Sequence, residues 1–288
     1  MTLTRAEVVA LLDAHGLRPS RALGQNFVVD PNTVRRIVRL AELGPGARVV
    51  EIGAGLGSLT LALAEAGAEV TAVELDRHLV PILRDVVARH PGVEVVQADA
   101  LRLDWSRLLE GHRVAGPGGP GEPGTWALVG NLPYNVATPL VLRALAEAPS
   151  IGSMLVMVQR EVGERLAAGA RSAAYGAVSA KVAYWASAAV VGRVPASVFL
   201  PRPRVESVLV RLRRRQTPAV RAELVGRERL FAVVEAGFAQ RRKMLRRSLD
   251  GVVDPDAFVR AGVAPQSRAE ELSIEQWGRL AAQPAGAR

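Results

Sequence analysis

Apolar positions along this chain fall into two alternating patterns. Short, largely apolar runs recur near residues 47–52, 69–74, 93–97, 126–130 and 153–158. Runs of that length read as strands, the first of them buried. Between them apolar residues return at helical spacing, as over Ser58 to Ala66. Strands alternating with helices predict a parallel sheet wrapped by helices, and two later strands at 188–194 and 205–212 complete it. Upstream, a helix is expected from Arg5 to His15, then an extended segment over 21–28. Asp30-Pro31 has the form of an N-cap followed by proline at the first helical position, opening a helix to about Glu42. Beyond Gln216 the pattern predicts only short helices, at Arg227–Gln240, Met244–Leu249, Pro255–Ala261 and Ile274–Ala282. The glycine- and proline-rich run at 116–124 predicts an exposed loop. The expected division is an α/β domain over residues 1–215 and a helical domain over 216–288.

Composition narrows the function classes. A chain of 288 residues, 49% hydrophobic, can bury a substantial core. No apolar run approaches the ~20 residues needed to span a bilayer, and the first residues lack a signal-peptide apolar core, so a cytoplasmic protein is expected. There is no cysteine, which excludes disulfides, thiolate zinc sites, iron–sulfur clusters and chemistry that needs a thiolate nucleophile, such as cytosine C5 methylation. His15, His78, His90 and His112 lack ligand spacing, and no metal is expected. The formal net charge is +9, carried almost wholly by arginine, which predicts a polyanionic partner. Arg211–Arg215 and Arg241–Arg247 concentrate that charge. If the second run is helical, Arg241, Arg242, Lys243, Arg246 and Arg247 can face phosphates; a merely solvated basic helix is the competing reading.

The strand at 47–52 runs into Gly53-Ala54-Gly55-Leu56-Gly57. Glycines at a strand-to-helix turn let backbone approach a ligand closely. A nicotinamide loop would place its third glycine where this chain has Ser58; the spacing and the preceding acid, Glu51, suit S-adenosylmethionine instead. Glu74 ends the second strand, well placed to accept from ribose hydroxyls, and Asp99 follows the third, placed to accept from the cofactor's adenine amine. Each alone also reads as a solvated loop carboxylate. Acids grouped at successive strand ends fit the rule that open α/β sheets bind ligands at the carboxyl ends of their strands.

Asn131-Leu132-Pro133-Tyr134 adds a second kind of chemistry. The N6 amine of adenine is a poor nucleophile because its lone pair is delocalised into the ring. A site that methylates it must accept from both N–H groups and fix the base plane. Asn131 and the Leu132 carbonyl can accept, and Tyr134 can stack. The same residues also make an ordinary turn, with Pro133 fixing φ.

Taken with the blocks Leu23–Phe27, Glu51–Gly57, Gln97–Ala100, Asn131–Asn135, Phe199–Ser207 and Phe238–Lys243, these motifs give a chain that resembles, over nearly its full length, the bacterial small-subunit ribosomal RNA adenine dimethyltransferases, the KsgA/RsmA family. The arginine-rich composition and the Asn135-Val136-Ala137 continuation are similar to actinobacterial members. The resemblance implies a Rossmann-like class I S-adenosylmethionine-dependent methyltransferase core with a small all-helical C-terminal domain that helps grip RNA. It implies dimethylation of two adjacent adenines in the 3′-terminal hairpin of 16S rRNA, late in small-subunit assembly. Nothing in the sequence suggests an obligate dimer, and a monomer is expected. Cofactor contacts carry over to Asn26, Val28, Gly53, Gly55, Glu74, Asp99 and Asn131. Asn131, Leu132, Pro133 and Tyr134 carry over to the target adenine, and Phe199 to closing its other face, although Phe199 alone would read as core. Two positions depart from the family. Ala137 replaces a frequent serine, with Thr138 beside it as a possible helix cap, and Ala54 replaces a proline, which is expected to loosen the cofactor loop. A macrolide-resistance-type 23S rRNA adenine methyltransferase, a non-catalytic RNA-binding assembly factor and a small-molecule methyltransferase are the alternatives.

Overall fold

The computed structural model describes residues 2–20, 23–110, 126–133 and 136–284. The 116–124 run, Tyr134 and Asn135 lie outside them. In chain order, α1 (Arg5–Ala14) precedes the short strand β1 (Phe27–Val28) and α2 (Pro31–Ala41). Strand–helix pairs follow: β2 (Arg48–Ile52) with α3 (Ser58–Glu65), β3 (Glu69–Glu74) with α4 (Leu79–Val87), β4 (Val93–Gln97) with α5 (Trp105–Glu110), and β5 (Trp126–Asn131) with α6 (Ala137–Glu147). Next come β6 (Ile151–Gln159), α7 (Arg160–Ala167), α8 (Ala177–Trp185), β7 (Ala186–Val194), β8 (Phe199–Leu200) and β9 (Ser207–Arg214). The chain ends in α9 (Arg227–Ala239), α10 (Leu245–Ser248), α11 (Ala257–Ala261) and α12 (Ile274–Ala281).

Local chemistry sets the helix starts near the site. Thr4 and Glu7 cap α1 reciprocally. Asp30 accepts from the Thr33 amide at 2.8 Å, and Pro31 supplies a helical φ at the first position of α2. Thr138 lies inside α6, whose N-cap is Val136 with no side-chain cap bond, so it does not cap that helix.

The main sheet has the order β4-β3-β2-β5-β6-β9-β7. Strands β2 to β6 pair in parallel, but β9 runs antiparallel to β6, from Ser153 opposite Arg213 to Gln159 opposite Ser207. The sheet is thus parallel through β2 to β6, as the alternating pattern predicts, and the later strand β9 enters it antiparallel. A parallel step needs a crossover, and the short segment between β7 and β9 carries no helix long enough to make one. The chain steps outward from β2 to β4, then returns to the other side of β2 as β5. That reversal opens a crevice beyond the carboxyl ends of β2 and β5. A separate two-stranded sheet pairs β1 with β8, Phe27 opposite Leu200 and Val28 opposite Phe199. Nothing in the hydropathy pattern signals β8.

Two compact units result: Met1–Gly163 with Ala189–Arg214, and Glu164–Ala188 with Arg215–Arg288. The segment 164–188 differs from a single division at 215. Tyr175, Ala180 and Tyr184 are buried in one cluster with Val233, Phe258 and Trp277. Helical periodicity shows that such a segment has an apolar face, not which core that face covers.

The arginine run at the end of β9 is structural. Arg211 and Arg213 both pair with Glu42. Arg214 donates to the carbonyls of Ala144, Leu145, Ala148 and Ile151, so it satisfies the C-terminal end of α6. Burial lowers the pKa of its guanidinium. Arg215 donates to the Ala183 carbonyl at 3.0 Å. Of the two basic runs, this one is therefore not a free phosphate-binding surface.

Candidate active site

Gly53, Gly55 and Gly57 have φ of +75°, +58° and +88°. Side chains avoid that region. Space is tight as well: a Cβ would sit 3.3 Å from the Asn131 carbonyl at Gly53 and 3.1 Å from the Phe27 ring at Gly55. The loop thus touches both β5 and the N-terminal segment. The amides of Gly53 and Ala54 donate to the Val73 carbonyl at 2.9 and 3.2 Å. A proline at 54 would have no such donor, so Ala54 adds a tie between the loop and β3, contrary to the looser turn expected from its departure.

Glu74, at the end of β3, is buried. One carboxylate oxygen accepts from the Gly55 amide at 2.7 Å and the other from the Asp76 amide at 2.8 Å. Desolvation raises its pKa against those bonds. The carboxylate keeps acceptor capacity for a ligand hydroxyl. Asp99 follows β4 and accepts from the Leu101 amide at 2.9 Å, with Arg102 at 3.8 Å. Glu51 is 1% exposed, inside β2, and burial pushes its carboxyl up to about 8, the nearby Glu74 charge adding to the shift and the Thr60 hydroxyl opposing it. Glu51 Oε2 and Ser58 Oγ are buried without a hydrogen-bond partner among the described residues.

Asn131 ends β5. Its amide nitrogen donates to the Asn26 carbonyl at 2.7 Å, and Asn26 in turn donates to the Gly24 carbonyl at 3.0 Å. No described residue donates to Asn131 Oδ1, and none to the Leu132 carbonyl. The Leu132 amide is held by the Met157 carbonyl at 3.0 Å, and its side chain is buried. The Pro133 carbonyl accepts from Val136 and Ala137, turning the chain into α6. Ala137 is 0% exposed, so its methyl fills a place where a hydroxyl would need a partner.

One cavity at the carboxyl edge of the sheet is lined by Asn26, Val28, Gly53, Gly55, Glu74, Asp99 and Asn131, together with Pro133. Every residue singled out for the cofactor is there. Tyr134 lies outside the described residues. Phe199 does not line the cavity; its ring is 1% exposed in the main core, while its backbone pairs with Val28. Its packing is that of a core residue, not of an open stacking face. Sequence reasoning passed over Gln25, Ser58, Leu75 and Leu101, which also line the cavity. Leu75 is apolar yet 50% exposed, directly after the acid that ends β3; an apolar residue at such a strand end was the available signal. No cluster of metal-ligating side chains occurs among the described residues.

The second basic run is not one helix. Helix α9 stops at Ala239, a turn follows in which the Lys243 amide donates to the Gln240 carbonyl at 2.8 Å, and Met244 bridges to Arg268 before α10 starts. The expected shared helix face is corrected accordingly. Arg241 is tied to Glu270 at 2.8 Å and to the Ala173 carbonyl at 2.7 Å. Arg242, Lys243, Arg246 and Arg247 are exposed and have no ion-pair partner among the described residues. Those side chains are free to meet phosphates.

Residues 17–284 match the sequence profile described as ribosomal RNA adenine dimethylase. The chain is 49% identical to ribosomal RNA small subunit methyltransferase A of Kineococcus radiotolerans, covering 99% of this chain and 93% of that protein. It is 48% identical to the protein of the same name from Thermobifida fusca, covering 97% and 95%. Among solved structures it is similar to 23S rRNA methyltransferase ErmE, with a TM-score of 0.67, 30% identity, and 88% and 98% of the two chains covered. A dimethyladenosine transferase from Plasmodium falciparum, at 20% identity and a TM-score of 0.70 over 87% and 94%, shares the fold. The profile match and the near-half identity across almost all of both chains make this protein a member of the ribosomal RNA adenine dimethylase family.

Proposed function

We propose that the protein dimethylates N6 of two adjacent adenines in the 3′-terminal hairpin of 16S rRNA, with S-adenosylmethionine as donor, on a small-subunit precursor. The observation that carries this reading is the convergence of separate stretches of chain on one cavity, with Asn131 Oδ1, which accepts from no described residue, beside it. A polar cofactor suits the cavity: Glu51 Oε2 and Ser58 Oγ need partners, Glu74 and Asp99 offer acceptors, and Leu75 and Leu101 offer apolar surface. When bound, S-adenosylmethionine supplies an electrophilic methyl on a sulfonium.

The protein's own groups account for the rest. Asn131 Oδ1 and the Leu132 carbonyl accept from the two N6–H groups of the adenine, favouring the pyramidal nitrogen of the transition state. No general base is required before attack, because the amine becomes acidic only as its nitrogen gains positive charge. An amide in that position fits this chemistry. The adenine must leave its stack to reach it, at a few kcal/mol. Tyr134, next in sequence, is proposed to stack on the base. For Phe199 to close the other face, its ring would have to leave the core. Arg242, Lys243, Arg246 and Arg247 are proposed to hold rRNA phosphates, and the protein to act as a cytoplasmic monomer. No helix among the described residues is long and apolar enough to cross a membrane.

Identity of 49% and 48% to two relatives named for the small subunit, against 30% to a 23S rRNA enzyme, supports the 16S reading over the large-subunit alternative. Methyl transfer from labelled S-adenosylmethionine to under-methylated 30S subunits, with 50S subunits in parallel, tests it. Label is expected in 30S alone; label confined to 50S overturns the substrate assignment.

A further inference from the structure

Gln25 lines the cavity, and its side chain reaches across a sequence separation of 51 residues to donate to Asp76 Oδ2 at 2.8 Å. Both ends of this bond are fixed. The Gln25 amide donates to the Ser20 carbonyl at 3.0 Å, and the Ser20 amide returns a bond to Gln25 Oε1 at 2.7 Å. Asp76 is locked as well. Its other oxygen accepts from the His78 amide at 2.9 Å, and its carbonyl accepts from Leu79 and Val80 at the start of α4. The Asp76 amide donates to Glu74, whose second oxygen holds the Gly55 amide. A continuous chain of hydrogen bonds thus runs from the N-terminal segment through Asp76 and Glu74 to the glycine loop.

The N-terminal segment forms one wall of the cavity through Asn26 and Val28, and the ends of β2 and β3 form the facing wall. Only two side-chain bonds among the described residues tie residues 24–28 to the facing strand ends: Gln25 to Asp76 on the β3 side, and Asn131 to the Asn26 carbonyl on the β5 side. We propose that Gln25 is a positioning residue for the cofactor: its bond to Asp76 clamps the N-terminal wall over the site and sets how long the cofactor is retained. This rests on the reading of the cavity as an S-adenosylmethionine site. Gln25 touches none of the reacting atoms, so the clamp governs retention and leaves the methyl-transfer step unchanged. Only an amide of this length both donates to Asp76 and accepts from Ser20.

The test uses the full-length protein as wild type, Gln25→Ala, Asp76→Ala and the double variant. S-adenosylhomocysteine affinity is measured by calorimetry, and amide exchange over residues 24–29 is followed in the free protein. Loss of a hydrogen bond to a carboxylate is expected to weaken binding roughly tenfold in each single variant, with little further loss in the double variant. Exchange over 24–29 should quicken in Gln25→Ala before any ligand is added, and kcat at saturating cofactor should stay within about twofold of wild type while KM for cofactor rises. Asp76→Asn, which keeps shape and one acceptor oxygen, should recover part of the affinity. Unchanged affinity in both single variants, or additive losses in the double variant, would overturn the clamp. Wild-type protein that binds no S-adenosylhomocysteine would overturn the cofactor reading and the clamp together.

Discussion

The amide nitrogen of Asn131 is bonded to the main-chain carbonyl of Asn26 at 2.7 Å, and its Oδ1 accepts from no described residue. A single residue therefore fixes the N-terminal wall and presents an acceptor to the cavity. Replacing Asn131 by Ala removes both functions. Turnover is expected to fall by ~10² or more, with RNA affinity nearly unchanged and KM for cofactor raised by loss of the Asn26 bond. Asn131→Asp keeps an acceptor but sets a carboxylate against the Asn26 carbonyl, so it should not rescue turnover. Single-turnover rates with saturating cofactor and RNA check this; wild-type rates in either variant would contradict it.

Glu51 predicts a pH dependence of stability. Its carboxyl titrates near 8 in the folded protein against an ordinary value of 4.5, so the folded state binds its proton more tightly than the unfolded chain does. That contribution is complete below the ordinary value and is lost as pH rises towards about 8, where the buried group must ionise. Glu51→Gln stays neutral throughout. Thermal unfolding of the cofactor-free protein should show the Gln variant gaining in Tm over wild type between about pH 5 and about pH 8.5, the window that brackets the two values. A difference that stays constant across that range would rule the assignment out.

Most of this site could be read locally in the sequence, and the reasons are physical. Glu74 closes one short, largely apolar run and Asp99 follows another, although the second forms the half-exposed edge strand β4 and not a buried one, and Asp30-Pro31 is a cap whose chemistry lies within a single helical turn. Observed strands β3 and β4 coincide with the expected 69–74 and 93–97. What was hidden depends on partners remote in sequence. The two residues of β8 carry no periodicity of their own, and their pairing with β1 exists only once the chain has folded. Arg214 looks like part of a basic patch until the carbonyls of α6 and the start of β6 surround it. The Gln25–Asp76 bond joins residues in different motifs, neither of which signals the other.

The two arginine runs should separate cleanly when mutated. Arg214→Met removes the guanidinium donor from four carbonyls, of which those of Ala144 and Ala148 keep a main-chain amide, and is expected to lower stability by roughly 2–3 kcal/mol with little direct effect on RNA affinity. Neutralising Arg242, Lys243, Arg246 and Arg247 together should leave Tm nearly unchanged and weaken RNA binding. The slope of log affinity against log salt should fall by about one for each phosphate that the variant no longer neutralises. Denaturant melts and salt titrations of RNA binding check both halves. An unaltered salt slope in the fourfold variant would remove those side chains from the RNA interface.

Gly130 sets how closely β5 approaches β2 just before Asn131. A Cβ there would lie 2.5 Å from the Ile52 carbonyl, which is backbone and cannot swing aside. Gly130→Ala should destabilise the protein by about 2 kcal/mol and displace Asn131, so that turnover falls in the protein that remains folded. Urea unfolding and single-turnover assays at a temperature well below the transition check this. A stable, fully active variant would show that the strand spacing is not what positions Asn131.

Delivery of methyl groups from this cavity to paired adenines of the small-subunit RNA leaves a chemical mark that can be read at nucleotide resolution. Under-methylated 30S subunits are incubated with the purified protein and S-adenosylmethionine, and their nuclease fragments are weighed by mass spectrometry. Two adjacent N6,N6-dimethyladenosines are expected in the 3′-terminal 16S fragment, and neither when Asn131→Ala replaces wild type. An unmodified fragment after incubation with cofactor-binding wild-type protein would refute the proposed function.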